Sequence, residues 1–383
     1  MTEWKVIANL IRNFNNINAK ECWYVKIVAR FEIPYYQILD ENSKLVSELP
    51  EFAKNPENLI KLYRLMVLNR LFDTKAIALQ RTGKMGTYPS TRGQEAAFVG
   101  VGNAMQNEDV FVPYYRDVGI LIQRGVKLSE ILLFWGGDER GNCFANNKKD
   151  FPYCVPIGTQ LLHAAGVATA INIKKEKRAV LTVCGDGGTS EGDFYEALNV
   201  AGVWKLPLVF VVSNNQWAIS VPREAQTASQ TIAQKAVAAG FSGEQVDGND
   251  VIAVRERVSK ALDKAREKHE PTLIEILSYR HSDHTTADDA SRYEPKGTRE
   301  KEWTKEPVLR LKRYLESINV WDDKKEEELA AECASEIDKT LQEYANTPPA
   351  APESMFDHLY ASLPKIYEEQ RAALKHVKGA NHG

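Results

Sequence analysis

Two short apolar runs, each ended by a polar turn, constrain this chain more than any other feature. Arg178 to Cys184 is apolar apart from Arg178 and Thr182, and Pro207 to Ser213 carries Leu208, Val209, Phe210, Val211 and Val212 without a break. Neither run alternates polar with apolar, so neither has a face meant for water. Runs of this length between turns read as strands buried on both faces, the pattern of a parallel sheet covered by helices. Phe194 to Trp204, between them, has helical periodicity. Helices are expected over Ala228 to Ala239, closed by Gly240 as a left-handed cap, and over Asp250 to Lys268; Thr272 to Ser278 reads as a third strand. Strands alternating with helices predict βαβ units and an α/β fold, a parallel sheet flanked by helices. Upstream, Leu59, Leu62, Leu65, Met66 and Leu68 give a helix from Pro56 to near Gly83, and Glu95 to Met105 gives another. Val308 to Tyr344 and Lys365 to His376 read as surface helices. The chain divides into an N-terminal arm (1–55), a main domain (56–345) and a C-terminal helical tail (346–383).

Composition supports a core of useful size, with 43% hydrophobic and 26% charged residues in 383. Lys plus Arg is 49 and Asp plus Glu is 52, a net charge of −3. A phosphate-backbone binder would carry a basic surplus, so nucleic acid is not an expected partner. No stretch approaches the roughly 18 consecutive apolar residues of a membrane span, so no membrane partner is expected either. Cys22, Cys143, Cys154, Cys184 and Cys333 are odd in number and contain no Cys-x-x-Cys pair. That pattern argues against a zinc site or disulfide framework and fits a cytoplasmic protein. The first 30 residues lack the order of a secretory signal; Phe14, Trp23 and Tyr24 are broken up by Asn and Lys.

Chemistry concentrates in Gly185-Asp186-Gly187, followed after 26 residues by Asn214-Asn215. Each half lies at the C-terminal end of an expected parallel strand, where open α/β sheets bind ligands. Glycine lets backbone approach a diphosphate, and the helix start that follows favours negative charge. Asp186 and an Asn amide oxygen are hard oxygen donors suited to magnesium, which is usually shared with substrate phosphates. The blander reading is a strand, turn and helix with a solvated Asp; the Asn pair at the next strand end speaks against it. A dinucleotide fingerprint fails, because the sixth position from Gly185 is Ser190. Tyr279 to Thr298 is a polar stretch without periodicity and reads as a long loop, of a kind commonly functional or disordered.

The spacing resembles the thiamine-diphosphate motif. The wider run Gly185-Asp-Gly-Gly-Thr-Ser-Glu-Gly-Asp-Phe, then Trp204-Lys-Leu-Pro, then Asn214-Asn-Gln-Trp-Ala-Ile-Ser, resembles alpha subunits of the decarboxylating component of 2-oxoacid dehydrogenases. The likeness runs from about Leu59 to Ser317. It implies a thiamine-diphosphate-binding fold and magnesium held by Asp186, Asn215 and the Trp217 carbonyl. Gly187 and Gly188 would lie against the diphosphate, and Tyr115 with Arg116 would grip it. Val155 and Ile157 would touch the aminopyrimidine, and His284 would be the active-site histidine, stabilising an intermediate and assisting acyl transfer. His281 reads as a loop hydrogen-bonder and His163 as a packing residue. Where mitochondrial pyruvate enzymes carry a substrate-facing His this chain has Pro89, so Tyr88 is the residue expected to face the substrate. Thr285 follows His284 where those enzymes carry a phosphorylated Ser.

The implied activity is oxidative decarboxylation of a 2-oxoacid, with acyl transfer to lipoyl groups of a dihydrolipoyl acyltransferase. Pyruvate is the leading substrate; branched-chain 2-oxoacid and acetoin dehydrogenases are the alternatives within the class. Only the diphosphate half of a site is legible, so the resemblance implies a beta subunit in an alpha-beta heterotetramer. From other classes, a nicotinamide-dependent oxidoreductase and a non-catalytic interaction subunit stay open at this point.

Overall fold

The protein is described by a computed structural model over residues 26–374. Cys22, Phe14, Trp23 and Tyr24 lie outside the described residues, as does the end of the helix expected at His376. The chain forms two compact units that divide between Glu32 and Ile33. In the first, residues 26–32 have no hydrogen-bonded secondary structure.

The second unit is built on strands β1 (Tyr35–Tyr36), β2 (Val110–Val112), β3 (Val180–Gly185), β4 (Leu208–Asn214), β7 (Ser242–Asp247) and β8 (Thr272–Leu277). Between them, β5 (Trp217–Ala218) and β6 (Val221–Pro222) form a small antiparallel hairpin. The six strands lie in the order β1-β7-β8-β4-β3-β2, every pair parallel. Helices cover both faces. Leu181, Val183, Val209, Val211, Ile274 and Ile276 point into one core, while Val180, Cys184, Leu208, Phe210, Val212 and Leu273 point into the other. That two-sided burial is why the strands read as unbroken apolar runs.

On the first face pack α1 (Pro56–Arg81) and α2 (Glu95–Ala104); on the second lie α3 (Thr159–Lys174) and α4 (Gly192–Trp204). Helix α5 (Val251–Lys268) returns to the first face and crosses α2 at Gly100, where a Cβ would stand 2.7 Å from Val254 Cγ1. Asp250 caps α5 by accepting the Ile252 and Ala253 N–H groups. The same carboxylate accepts the N–H groups of Ile38 and Leu39 at 2.6 and 2.7 Å, so one buried acid ties the segment after β1 to the sheet. Residues 33–55, read from sequence with the arm, thus contribute an edge strand; two residues are too few to show a period.

Three expectations need correcting. The helix at Ala228 to Ala239 shrinks to Lys235–Ala238. Before it, Thr231 Oγ1 accepts the Gln234 N–H and Thr227 Oγ1 accepts that of Ser229, local bonds that compete with helix formation. The stretch Val308 to Tyr344 is two helices, α6 (Pro307–Ser317) and α7 (Asp323–Asn346). Each buries a stripe, led by Leu311 and Leu315 in α6 and by Cys333 and Ile337 in α7. Past Asn346 the described tail holds two 3-10 turns and one short helix, Glu368–Ala373. Among the described residues no helix is long and apolar enough to cross a membrane.

Candidate active site

Register brings the two halves of the motif together. Gly185 pairs with Ser213 across β3 and β4, so Asp186 and Asn215 leave the sheet side by side. A cavity of about 230 Å³ opens at these strand ends. Tyr115, Arg116, Ile157, Asp186, Gly187, Gly188, Asn215, Trp217 and His284 all line it, although 169 positions separate Tyr115 from His284 in the sequence. Val155 and Tyr88 are not among the lining residues.

The floor is the turn after β3. The Asp186 carbonyl accepts the Thr189 N–H and hydroxyl at 3.1 and 2.8 Å, and Lys235 Nζ donates to the Thr189 carbonyl at 2.9 Å. Gly187 is required by close approach: a Cβ there would lie 2.6 Å from the Ala218 Cβ. Asp186 is 3% exposed; its carboxylate accepts from Gln226 Nε2 at 3.2 Å and is met by the backbone N–H groups of Asp186 and Gly187. Burial pushes its carboxyl up to about 6. Asn215 Oδ1 accepts the Trp217 N–H at 3.2 Å, and the Trp217 carbonyl has a long contact of 3.4 Å from Arg280. A carbonyl has two lone pairs, so that oxygen keeps capacity. Among the described residues no three His, Cys, Asp or Glu side chains converge on a metal position. A cation here would therefore be held by one carboxylate, one amide oxygen, one carbonyl and its own phosphate ligand, the donor set of a hard ion.

Arg116 lines the wall, and Arg280 stands behind it against His284. Arg116 and Arg280 are 1% and 2% exposed. Arg116 donates to the carbonyls of Ser90 and His284; Arg280 donates to those of Trp217, Ile219 and Ser282 and to the Tyr293 hydroxyl. Among the described residues neither guanidinium meets a carboxylate. The buried Arg116 charge beside a glycine turn favours an anion, and the guanidinium fork suits phosphate.

His284 stands between them. Its Nδ1 lies 3.3 Å from Arg116 and 3.4 Å from Arg280. Both neighbours only donate, so Nδ1 is the acceptor and the proton sits on Nε2. Burial first, then Arg116 and Arg280, hold the imidazole well below its usual range, at about 3. The loop is fixed by its own bonds: Asp288 accepts the His284 N–H at 2.8 Å and the Tyr293 hydroxyl, and the Thr286 N–H donates to the Tyr88 carbonyl at 3.0 Å.

Tyr88 thus serves through its backbone. Its ring is buried edge-on to Phe72 and Trp135, away from the cavity where sequence had placed it. Val155 is exposed beside the cavity rather than in its lining. His281 is buried against Trp303; its backbone N–H bonds the Arg92 carbonyl, but among the described residues neither ring nitrogen has a partner. His163 is exposed on α3, with its ring 6.0 Å from that of Phe151. Sequence reasoning missed Arg280, Gln226 and Gln94. Arg280 had one available signal: it lies four residues before His284, just past the end of β8.

The family model described as "Dehydrogenase E1 component" matches residues 63–353, more than half of the chain. The chain belongs to the dehydrogenase E1 component family. It is 39% identical over 346 residues to the pyruvate dehydrogenase E1 component subunit alpha of Staphylococcus aureus (strain Mu50), covering 89% of this chain and 92% of that one. The protein of the same name from Staphylococcus epidermidis (strain RP62A) is 38% identical over the same spans. The resemblance read from sequence is thereby established: this is an alpha-type subunit of the thiamine-diphosphate-dependent 2-oxoacid dehydrogenases. The nicotinamide-dependent alternative falls with that assignment.

Proposed function

We propose that this chain is the diphosphate-holding alpha subunit of a pyruvate dehydrogenase, working with a beta subunit and passing acetyl units to lipoyl groups of a dihydrolipoyl acyltransferase. The observation that carries the proposal is the meeting, at one cavity, of the buried Arg116 guanidinium, a glycine turn and the Asp186–Asn215 pair. The names of its relatives select pyruvate over branched-chain 2-oxoacids and acetoin. Four free cysteines among the described residues accord with action in the cytoplasm.

The residues present fit thiamine diphosphate with magnesium. Asp186, the Asn215 side-chain oxygen and the Trp217 carbonyl would hold the metal. Gly187, Gly188, Tyr115 and Arg116 would hold the diphosphate. When bound, the cofactor supplies the carbon nucleophile and the electron sink that decarboxylation of a 2-oxoacid needs. His284 presents a neutral imidazole that holds its proton at Nε2, available to stabilise negative charge on an acyl oxygen. Arg116, were it to hold a phosphate, would lower the His284 pKa less, and the imidazole would titrate nearer its ordinary range.

Asp186 gives a pH test. A raised carboxyl binds its proton more tightly folded than unfolded. Its contribution to stability is full below the unfolded value of 3.8 and is lost as pH rises through about 6. Metal binding needs the ionised form. Magnesium affinity should therefore fall about tenfold per pH unit below about pH 6. The melting-temperature gain from magnesium and thiamine diphosphate should be large at about pH 7.5 and small at about pH 5. A gain independent of pH would remove Asp186 from the metal site.

The direct experiment on function is reconstitution. The chain by itself should release little carbon dioxide from pyruvate, and co-expression with a beta subunit should restore it, with pyruvate preferred over 2-oxoisovalerate. Full activity from this chain by itself, or preference for 2-oxoisovalerate, contradicts the proposal.

A further inference from the structure

Gln94 immediately precedes α2 and is completely buried, yet its side chain does not cap that helix. Its Oε1 instead reaches across the sheet to the end of β4, where it accepts hydrogen bonds from Ser213 Oγ at 3.1 Å and Asn215 Nδ2 at 3.0 Å. At the other end of the Asn215 amide, Oδ1 accepts the Trp217 N–H at 3.2 Å. A backbone N–H can only donate, so this contact fixes which amide atom is oxygen, and the Gln94 acceptor fixes it a second time. Reversing the amide would set NH₂ against N–H and oxygen against oxygen. Among the described residues, the Gln94 Nε2 is buried without a partner. An unpaired buried donor is unfavourable for the fold, so stability alone does not account for a glutamine here.

We propose that Gln94 is a positioning residue for the cation site: by accepting from Asn215 Nδ2 it holds the Asn215 oxygen, rather than its nitrogen, toward the place where Asp186 and the Trp217 carbonyl converge. This rests on the reading of Asp186 and Asn215 as magnesium ligands. Without the acceptor, the Trp217 N–H at 3.2 Å is the one contact of this pair left to hold the Asn215 amide, and any turn that presents NH₂ repels a cation. Outer partners of this kind typically change metal affinity by about 10–100-fold when removed.

The test uses the full-length chain assembled with its partner subunit. Titration calorimetry gives the magnesium concentration that half-saturates thiamine diphosphate binding, for wild type, Gln94→Leu, Gln94→Glu and Ser213→Ala. Gln94→Leu removes the acceptor at similar volume and should raise that concentration by about 10–100-fold. Gln94→Glu keeps an acceptor and should stay near wild type, and so should Ser213→Ala, which removes only the other donor. Ligand-free melting temperatures separate loss of positioning from loss of fold. If the leucine variant does not fold, the glutamate variant decides: a tenfold rise there overturns the proposal, and a value near wild type supports it. An unchanged leucine variant in a magnesium-dependent wild type overturns the Gln94 inference and leaves the ligand assignment standing. Wild-type binding that ignores magnesium overturns both.

Discussion

Replacing Asp186 with alanine should abolish magnesium-dependent cofactor binding while leaving the chain folded. Both halves of that result follow from one observation: a carboxylate 3% exposed that meets only amide N–H groups among the described residues and no counter-charge in hydrogen-bond contact. Its raised pKa shows that burial of the charge is unfavourable in the ligand-free fold, so deleting it removes a cost at neutral pH rather than a support. A bound cation reverses the sign, because it is the counter-charge the carboxylate lacks. Losing this direct ligand should exceed the ~10–100-fold that loss of an outer partner costs. The ligand-free melting temperature should hold or rise slightly at about pH 7.5 and change less at about pH 5, where Asp186 is largely protonated. A variant that melts well below wild type would instead make Asp186 part of the fold.

His284→Ala should separate cofactor binding from acyl transfer. The imidazole has its Nδ1 between Arg116 and Arg280, and both guanidinium groups keep other backbone partners when the ring is gone. The Arg116 wall therefore survives, and thiamine diphosphate affinity should stay within a few-fold of wild type. What is lost is the proton on Nε2. Groups that hold or move a proton in a transition state contribute about 10²–10⁴-fold. Reductive acetylation of a lipoyl domain should fall by that order, whereas decarboxylation read with an artificial electron acceptor should fall less. Equal loss in both assays would limit His284 to the step they share, and wild-type rates in both would remove it from the reaction.

Much of the fold was legible because burial on both faces leaves a plain mark. Strands β3, β4 and β8 were read correctly from runs such as Leu208 to Val212, which need apolar residues toward both cores. Strand β7 left no such mark: Ser242-Gly-Glu-Gln-Val-Asp spends its side chains on partners, with Glu244 paired to Arg257 and Gln245 bonded to Glu275. Strand β2 is three residues long, too short to show a pattern. At the site, Asp186 and Asn215 announced themselves through glycine, strand end and spacing. Gln94 did not, since its partners lie 119 and 121 residues away and its own neighbourhood reads as a helix start. Arg280 was passed over because two histidines drew attention in the same loop. Tyr88 was misplaced because nothing local distinguishes a tyrosine beside a pocket from one packed on Phe72 and Trp135.

The central claim is that the cavity at the ends of β3 and β4 is a cradle for magnesium and a diphosphate. Titration of thiamine diphosphate into the assembled protein, with magnesium, with a chelator, and against NAD as competitor, tests it most directly. The account predicts saturable binding to one site per chain with magnesium, none with the chelator, no competition by NAD, and no binding to the Asp186→Ala variant. Binding that survives the chelator, or that NAD displaces, would contradict it.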